Sequence, residues 1–199
     1  MQNVNKSLWQ KEKDVKKSNI VFLSVVSVIM AIFTIIVTLY TYVFTRVLVV
    51  GQSMEPTLYH NEVIVINNVK EINKYDIVVI KQYEYGTDKL IIKRVIATGG
   101  DEVLISQGYV FVNGEKLIEP YLKEEGITYY PDCDDATNKA PYSLIVPEGE
   151  IFFLGDNRIN SSDSRVYGTT KEENVLGVAT KTSLKLRHIS KIIYDFFTF

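Results

Sequence analysis

Cysteine and histidine are almost absent. The 199 residues hold one cysteine, Cys133, and two histidines, His60 and His188. A lone cysteine leaves no intramolecular disulfide, which neither requires nor excludes an oxidising compartment. So few Cys and His side chains argue against a structural zinc site, which takes four ligands, and no metal or other cofactor is expected. A surplus of charge is missing as well. Twenty-two Lys and Arg stand against 24 Asp and Glu, a formal net charge of −2, so nothing global suggests a nucleic-acid partner. No phosphate-binding loop is present: Ala97-Thr98-Gly99-Gly100-Asp101 lacks the Walker spacing and its Lys-Ser/Thr ending. No internal repeat is visible.

The most informative absence is local. Residues 18–45 carry no charged side chain, and Ile20 to Phe44 is mostly Val, Ile, Phe, Leu and Met. Hydrophobic residues make up 46% of the chain, near the ordinary globular value, so their placement matters more than their number. As a helix, this run spans about 37 Å at roughly 1.5 Å per residue, against a bilayer core of about 30 Å. Its Ser and Thr hydroxyls can bond back to the helix backbone. Tyr40 and Tyr42 suit an aromatic belt at the far interface. The alternative is a cleaved secretory leader. The run is about twice the usual apolar length for one, and Val43-Phe44-Thr45-Arg46 follows instead of a small-x-small site. An uncleaved anchor over 18–45 is therefore expected. Lys6, Lys11, Lys13, Lys16 and Lys17 precede the run and Arg46 alone follows closely. That asymmetry places a basic segment, 1–17, in the cytoplasm and the remainder outside.

Beyond Arg46 the pattern turns to period two and short β-branched runs. Val47–Val50, Glu62–Ile66, Ile77–Ile80, Leu90–Ala97, Glu102–Ser106, Tyr109–Val112, Ser143–Val146, Glu150–Leu154 and Val175–Leu184 read as strands. Asn113-Gly114 marks a hairpin. The fold class expected is mainly β, a folded-sheet or barrel-like extracytoplasmic domain behind one transmembrane helix. Its two parts are 46–118 and 143–183. Between them, 119–142 holds Pro120, Pro131 and Pro141 and the acidic Asp132, Asp134 and Asp135, and reads as a loop-rich surface insert. The tail, 184–199, is too short and too charged to span; packing on the β domain is favoured over lying at the membrane surface.

Three stretches carry candidate chemistry. In Gly51-Gln52-Ser53-Met54-Glu55-Pro56-Thr57-Leu58 a serine sits where glycine and proline bend the backbone. Such a stretch is commonly just a turn, and a reactive serine needs a base beside it. Nothing sets His60 or His188 against Ser53, and both read as surface or interface residues. A desolvated lysine can serve instead, because burial disfavours the ammonium. Lys93 lies in Leu90-Ile91-Ile92-Lys93-Arg94-Val95-Ile96-Ala97. Neighbouring strand residues point to opposite faces, so one of Lys93 and Arg94 can enter a cleft while the other pairs with an acid. The third stretch, Gly155 to Arg165, is dense in Asp, Asn, Ser and Arg. It makes either a solvated loop or a polar shell around a buried lysine.

Four blocks, Ser53-Met54-x-Pro56-Thr57, Tyr75-Asp76-Ile77-Val78-Val79, Lys93-Arg94-Val95 and Gly155-Asp156-Asn157-Arg158-x-Asn160-Ser161-x-Asp163-Ser164-Arg165, stand in order between about 50 and 168. In them the chain resembles the type I bacterial signal peptidases, in the single-anchor form of Gram-positive bacteria. The resemblance implies a Ser-Lys dyad, with Ser53 as nucleophile and Lys93 as general base. It implies that Ser161 orients the lysine, that Arg94 and Asp156 pair beside the site, and that Asp163 and Arg165 support the same shell. The Ser53 backbone N–H would donate to the oxyanion. Some members add a hydroxyl two residues earlier, where this chain has Gly51. One such donor is worth about 2.7–4 kcal/mol, so another group would have to complete the hole. Ala97 to Asp101 also departs from the family's Pro-Gly-Asp. The implied partners are the lipid bilayer and signal peptides of exported preproteins, with small residues at −1 and −3, bound as an added strand. Two alternatives remain open here: a self-cleaving repressor-type Ser-Lys protease, and a membrane-anchored β module that only binds.

Overall fold

The computed structural model describes residues 2–84, 86–129 and 142–180, with the backbone alone for 2–15 and Glu84. The chain divides into two units, 1–43 and 44–199.

The first unit is one helix, α1 (Gln2–Val43). Its portion Lys16–Val43, 28 residues, is long and apolar enough to cross a membrane. The hydroxyls inside it bond back to the helix as expected: Ser24 donates to Val21 O, Thr34 to Met30 O and Thr38 to Thr34 O, at 2.8–2.9 Å. The helix ends two residues before the expected limit of the anchor, since Phe44 and Thr45 already belong to a strand. Both are compatible with either state, and pairing with a neighbouring strand decides for β.

The second unit is built from β1 (Phe44–Leu48), β2 (Val63–Asn67), β3 (Ile77–Glu84), β4 (Thr87–Thr98), β5 (Glu102–Ser106), β6 (Tyr109–Val112), β7 (Glu115–Lys116), β8 (Tyr142–Ile145), β9 (Glu150–Leu154), α2 (Ser164–Tyr167), β10 (Thr170–Lys171) and β11 (Val175–Ala179). A seven-stranded sheet runs β1-β2-β11-β3-β4-β9-β10, and a four-stranded one β7-β6-β5-β8. The fold is mainly β, as the alternating pattern indicates. β5, β6 and β9 have the expected bounds. β3 and β4 extend beyond theirs, because polar residues 81–84 and 87–89 continue the ladder out to Glu84↔Thr87. Cross-strand bonds do not depend on hydrophobicity, so an apolar pattern stops short of such a hairpin. The two-residue strands β7 and β10 were too short to show a period. Asn113 (φ 54°) and Gly114 (φ 80°) form the β6–β7 turn with both residues left-handed, the demand that favours Asn-Gly.

Three buried clusters hold the domain. Ile96, Phe152 and Leu154 of the large sheet pack with Val103, Ile105 and Val110 of the small one. Val78, Ile80, Val95 and Phe153 fill another cluster. The third concerns the serine stretch: Met54 and Leu58, 2% and 0% exposed, insert among Ile64, Ile66 and Val79. A buried side chain of this size contributes about 1.5–3 kcal/mol, so the loop is fastened to the sheet at both residues. Within the insert, 119–129 forms no strand, yet Glu119 and Thr128 are buried. That part is loop, as expected, with these two polar side chains turned inward to satisfy a buried arginine. Tyr130 to Pro141, with Cys133 and the acidic cluster, lies outside the described residues, as does the tail with His188.

Candidate active site

Ser53 sits in the loop between β1 and β2, and Lys93 in the middle of β4. The fold brings them together: Lys93 Nζ donates to Ser53 Oγ at 2.7 Å. Lys93 is 3% exposed. Burial foremost lowers its pKa from 10.5 to about 8; Arg165 and Lys89 push the same way, and Asp163 and Asp156 oppose. With Lys93 neutral, the same contact lets the serine hydroxyl donate its proton to nitrogen. The pair lines a cleft of about 1320 Å³, whose walls include Val47, Val49, Ile66, Val79 and Ile92.

The loop geometry also fixes a donor. Asn157 Nδ2 and Glu55 N both donate to Gln52 O, at 3.1 Å each. The Gln52 carbonyl and the Ser53 N–H belong to one planar peptide, so pinning the first orients the second. Asn157 N in turn donates to Ser53 O at 3.0 Å. The side-chain bond of Asn157 reaches 105 positions back along the chain, beyond any local pattern, so the sequence alone assigns it no role. The Glu55-Pro56 peptide is cis.

The neighbours of the pair form three buried ionic groups. Arg94 donates to Asp156 through Nε at 2.9 Å and Nη2 at 2.6 Å. Thr57 Oγ1 donates to the same carboxylate, and Tyr75 O takes Arg94 Nη1 at 2.9 Å. Arg94 therefore points away from the cleft while Lys93 enters it, the division that strand alternation requires. Asp163, fully buried, accepts from Gly155 N at 3.0 Å and from Arg165 Nε at 2.8 Å. Arg165 also donates to Arg158 O at 2.7 Å and Tyr129 O at 2.9 Å. The third group escaped the sequence. Arg158 donates to both Glu119 oxygens and to Thr128 Oγ1, and Tyr121, on Glu119, lies under Arg94 with its ring centre 3.9 Å from Cζ. Glu119-Pro120-Tyr121 has no spacing that would announce it.

Ser161 Oγ is buried, and among the described residues it has no hydrogen-bond partner. The bond to Lys93 implied by resemblance is not formed. The hydroxyl nevertheless borders the pair: a Cβ added at Gly155 would fall 2.2 Å from Ser161 Oγ and 2.6 Å from Ser53 O. Only glycine fits between them. Among the described residues no group of His, Cys, Asp and Glu is placed to hold a metal ion.

The family model described as signal peptidase, peptidase S26, matches residues 22–183. Signal peptidase I of Bacillus caldolyticus is 33% identical over 153 residues, covering 72% of this chain and 81% of that protein. Signal peptidase I of Bacillus amyloliquefaciens is 32% identical over 186 residues, covering 88% and 89%. A crystal structure of a signal peptidase I from Enterococcus faecalis is 29% identical, covers 56% of this chain and 99% of its own, and has a TM-score of 0.45. A serine and a buried lysine in contact, in a mainly β domain behind an apolar helix, accompany that match: the chain belongs to the signal peptidase family, peptidase S26.

Proposed function

We propose that this protein is a membrane-anchored serine endopeptidase that removes signal peptides from exported preproteins, with Ser53 as nucleophile and Lys93 as general base. The observation that carries the reading is the 2.7 Å contact between Lys93 Nζ and Ser53 Oγ, with the lysine buried. A module that only binds has no need to desolvate a lysine against a hydroxyl, at a cost in stability.

In the reaction, neutral Lys93 takes the Ser53 proton as Oγ attacks the scissile carbonyl. The oxyanion forms against the Ser53 N–H. Lys93 then returns the proton to the leaving amine, and the signal peptide remains as an acyl ester on Ser53. A water, deprotonated by Lys93, hydrolyses that ester and restores the hydroxyl. Asn157 contributes by holding the donor peptide in place before charge develops, the condition under which such donors act most strongly. Asp163, Arg165, Arg94 and Asp156 support the lysine and the serine loop.

The substrate lies extended in the apolar cleft beside β1, with small residues at −1 and −3 fitting its shallow walls. α1 holds the site at the outer face of the bilayer, with the N-terminus in the cytoplasm, following the lysines before the apolar run. Tethering raises the effective concentration of substrates anchored in the same membrane. Incubating the detergent-solubilised protein with a preprotein and mapping the cut by mass spectrometry tests the reading. One cut after a small-x-small sequence is expected; an intact preprotein, or cuts scattered through the mature part, would overturn it.

A further inference from the structure

His60 is exposed, as expected of a surface residue, and its ring makes one specific contact. Gly51 N donates to His60 Nδ1 at 3.1 Å. The nitrogen accepts, so the ring carries its proton on Nε2.

The value of the bond follows from how the rest of the loop is held. Val49 closes the neck: Val49 N donates to Glu62 O at 2.8 Å, and Asn61 N donates to Val49 O at 2.9 Å. The 49–50 peptide is thereby fixed. The 52–53 peptide is fixed through Gln52 O by Asn157 and Glu55. Between these two, the 50–51 peptide has His60 as its holder among the described residues. Gly51 has φ +96°, and a Cβ there would meet nothing within 4 Å. Glycine is needed for its backbone angle and not for room, and glycine is also the residue that loses such an angle most easily. Val50, before it, is 75% exposed and packs on little. Without the ring, the chain would pivot at Val50 and Gly51, two residues before Ser53.

The backbone that carries the exposed His60 side chain is itself held. It lies in a tight turn where Glu62 N donates to Tyr59 O at 3.1 Å and Tyr59 N donates to Glu62 Oε2 at 3.0 Å. Asn61 there adopts φ 66°, a conformation asparagine tolerates better than most residues.

We infer that His60 is a positioning residue of the serine loop: its Nδ1 clamps the Gly51 amide and so holds Ser53 in register with Lys93 and its own N–H in register with the oxyanion. It touches neither substrate nor reacting atoms. The inference rests on Ser53 being the nucleophile.

The test uses the full chain in detergent micelles with a cleavable preprotein. His60→Ala is expected to lower kcat about fivefold, the scale of one net hydrogen bond, with KM changed less than about twofold. The melting temperature stays near that of the parent. His60→Asn is expected to restore kcat, because its Oδ1 stands close to where Nδ1 accepted and can take the same amide. Exchange of the Gly51 amide with deuterium accelerates in His60→Ala and returns to the parent rate in His60→Asn. Parent-like kcat in His60→Ala overturns the inference. So does a His60→Asn protein that melts normally and stays as slow as His60→Ala, or a kcat loss matched by a fall in melting temperature. A parent protein that cleaves nothing would instead overturn the functional reading, and the amide exchange would still report on the clamp.

Discussion

Lys93 and Arg94 are neighbours on β4, yet their charged ends part: Lys93 Nζ meets Ser53 Oγ at 2.7 Å, and Arg94 grips Asp156 with two nitrogens at 2.6 and 2.9 Å. One strand thus delivers a lysine to the cleft and spends the adjacent cation on a buried carboxylate. Had both cations faced the cleft, their repulsion would add to the desolvation already acting on Lys93.

The proposed mechanism requires both members of the pair. Ser53→Ala and Lys93→Ala are each expected to cut preprotein turnover by about 10⁴-fold or more, with circular dichroism unchanged. Turnover by Lys93→Ala within about tenfold of the parent at neutral pH would exclude the lysine as base.

The pH dependence follows from the same group. The proposed mechanism needs neutral Lys93, so log(kcat/KM) is expected to rise with unit slope and level off at about pH 8. A profile still rising steeply near pH 10 would mean that the lysine is not depressed. Stability follows with a definite sign. Between about 8 and 10.5 the unfolded chain binds the lysine proton and the folded one does not, so stability rises with pH through that window. Lys93→Met, which carries no charge to bury, is expected to be more stable than the parent at pH 7, by on the order of 3 kcal/mol, and to lose that advantage towards pH 10.5. Equal melting temperatures of the two proteins across this range would refute the assignment.

Ser161 separates catalysis from stability. Its buried hydroxyl has no partner among the described residues, so Ser161→Ala is expected to leave the melting temperature unchanged or raised, since an unsatisfied polar group costs about 1–3 kcal/mol. Turnover is expected to fall nevertheless, because the hydroxyl borders the Ser53–Lys93 pair. Gly155→Ala, which drives a methyl group into Ser161 Oγ and Ser53 O, is expected to lose activity altogether. Full turnover in Ser161→Ala would make the hydroxyl a bystander.

Asp156 is the opposite case. Asp156→Ala strands the Arg94 guanidinium, 8% exposed, without its carboxylate, and removes the acceptor of Thr57. A loss of about 3–5 kcal/mol in a denaturant titration is expected. The double variant Arg94→Met, Asp156→Leu is expected to recover much of it, since no charge is then left buried. A double variant as unstable as the single one would show that the pair does more than satisfy itself.

The sequence by itself determined the apolar run that forms most of α1, and it made the domain mainly β. Helical span and strand alternation are local properties, and the side chains over 20–44 and 90–97 display them directly. Ser53, Lys93 and the polar block at 155–165 could be picked out because each stands against its local background. The alternation rule alone required Lys93 and Arg94 to part. What tertiary structure decided was who meets whom. The reach of Asn157 to Gln52, the burial of Glu119 on Arg158 and the hold of His60 on Gly51 each join residues on separate segments or across a turn. Such pairs leave no periodic trace, since hydrogen-bond satisfaction in a buried site depends on distances that form only when the sheets close. For the same reason the strand ends at Glu84 and Thr87 were set by the ladder partner, and not by the residues' own hydrophobicity.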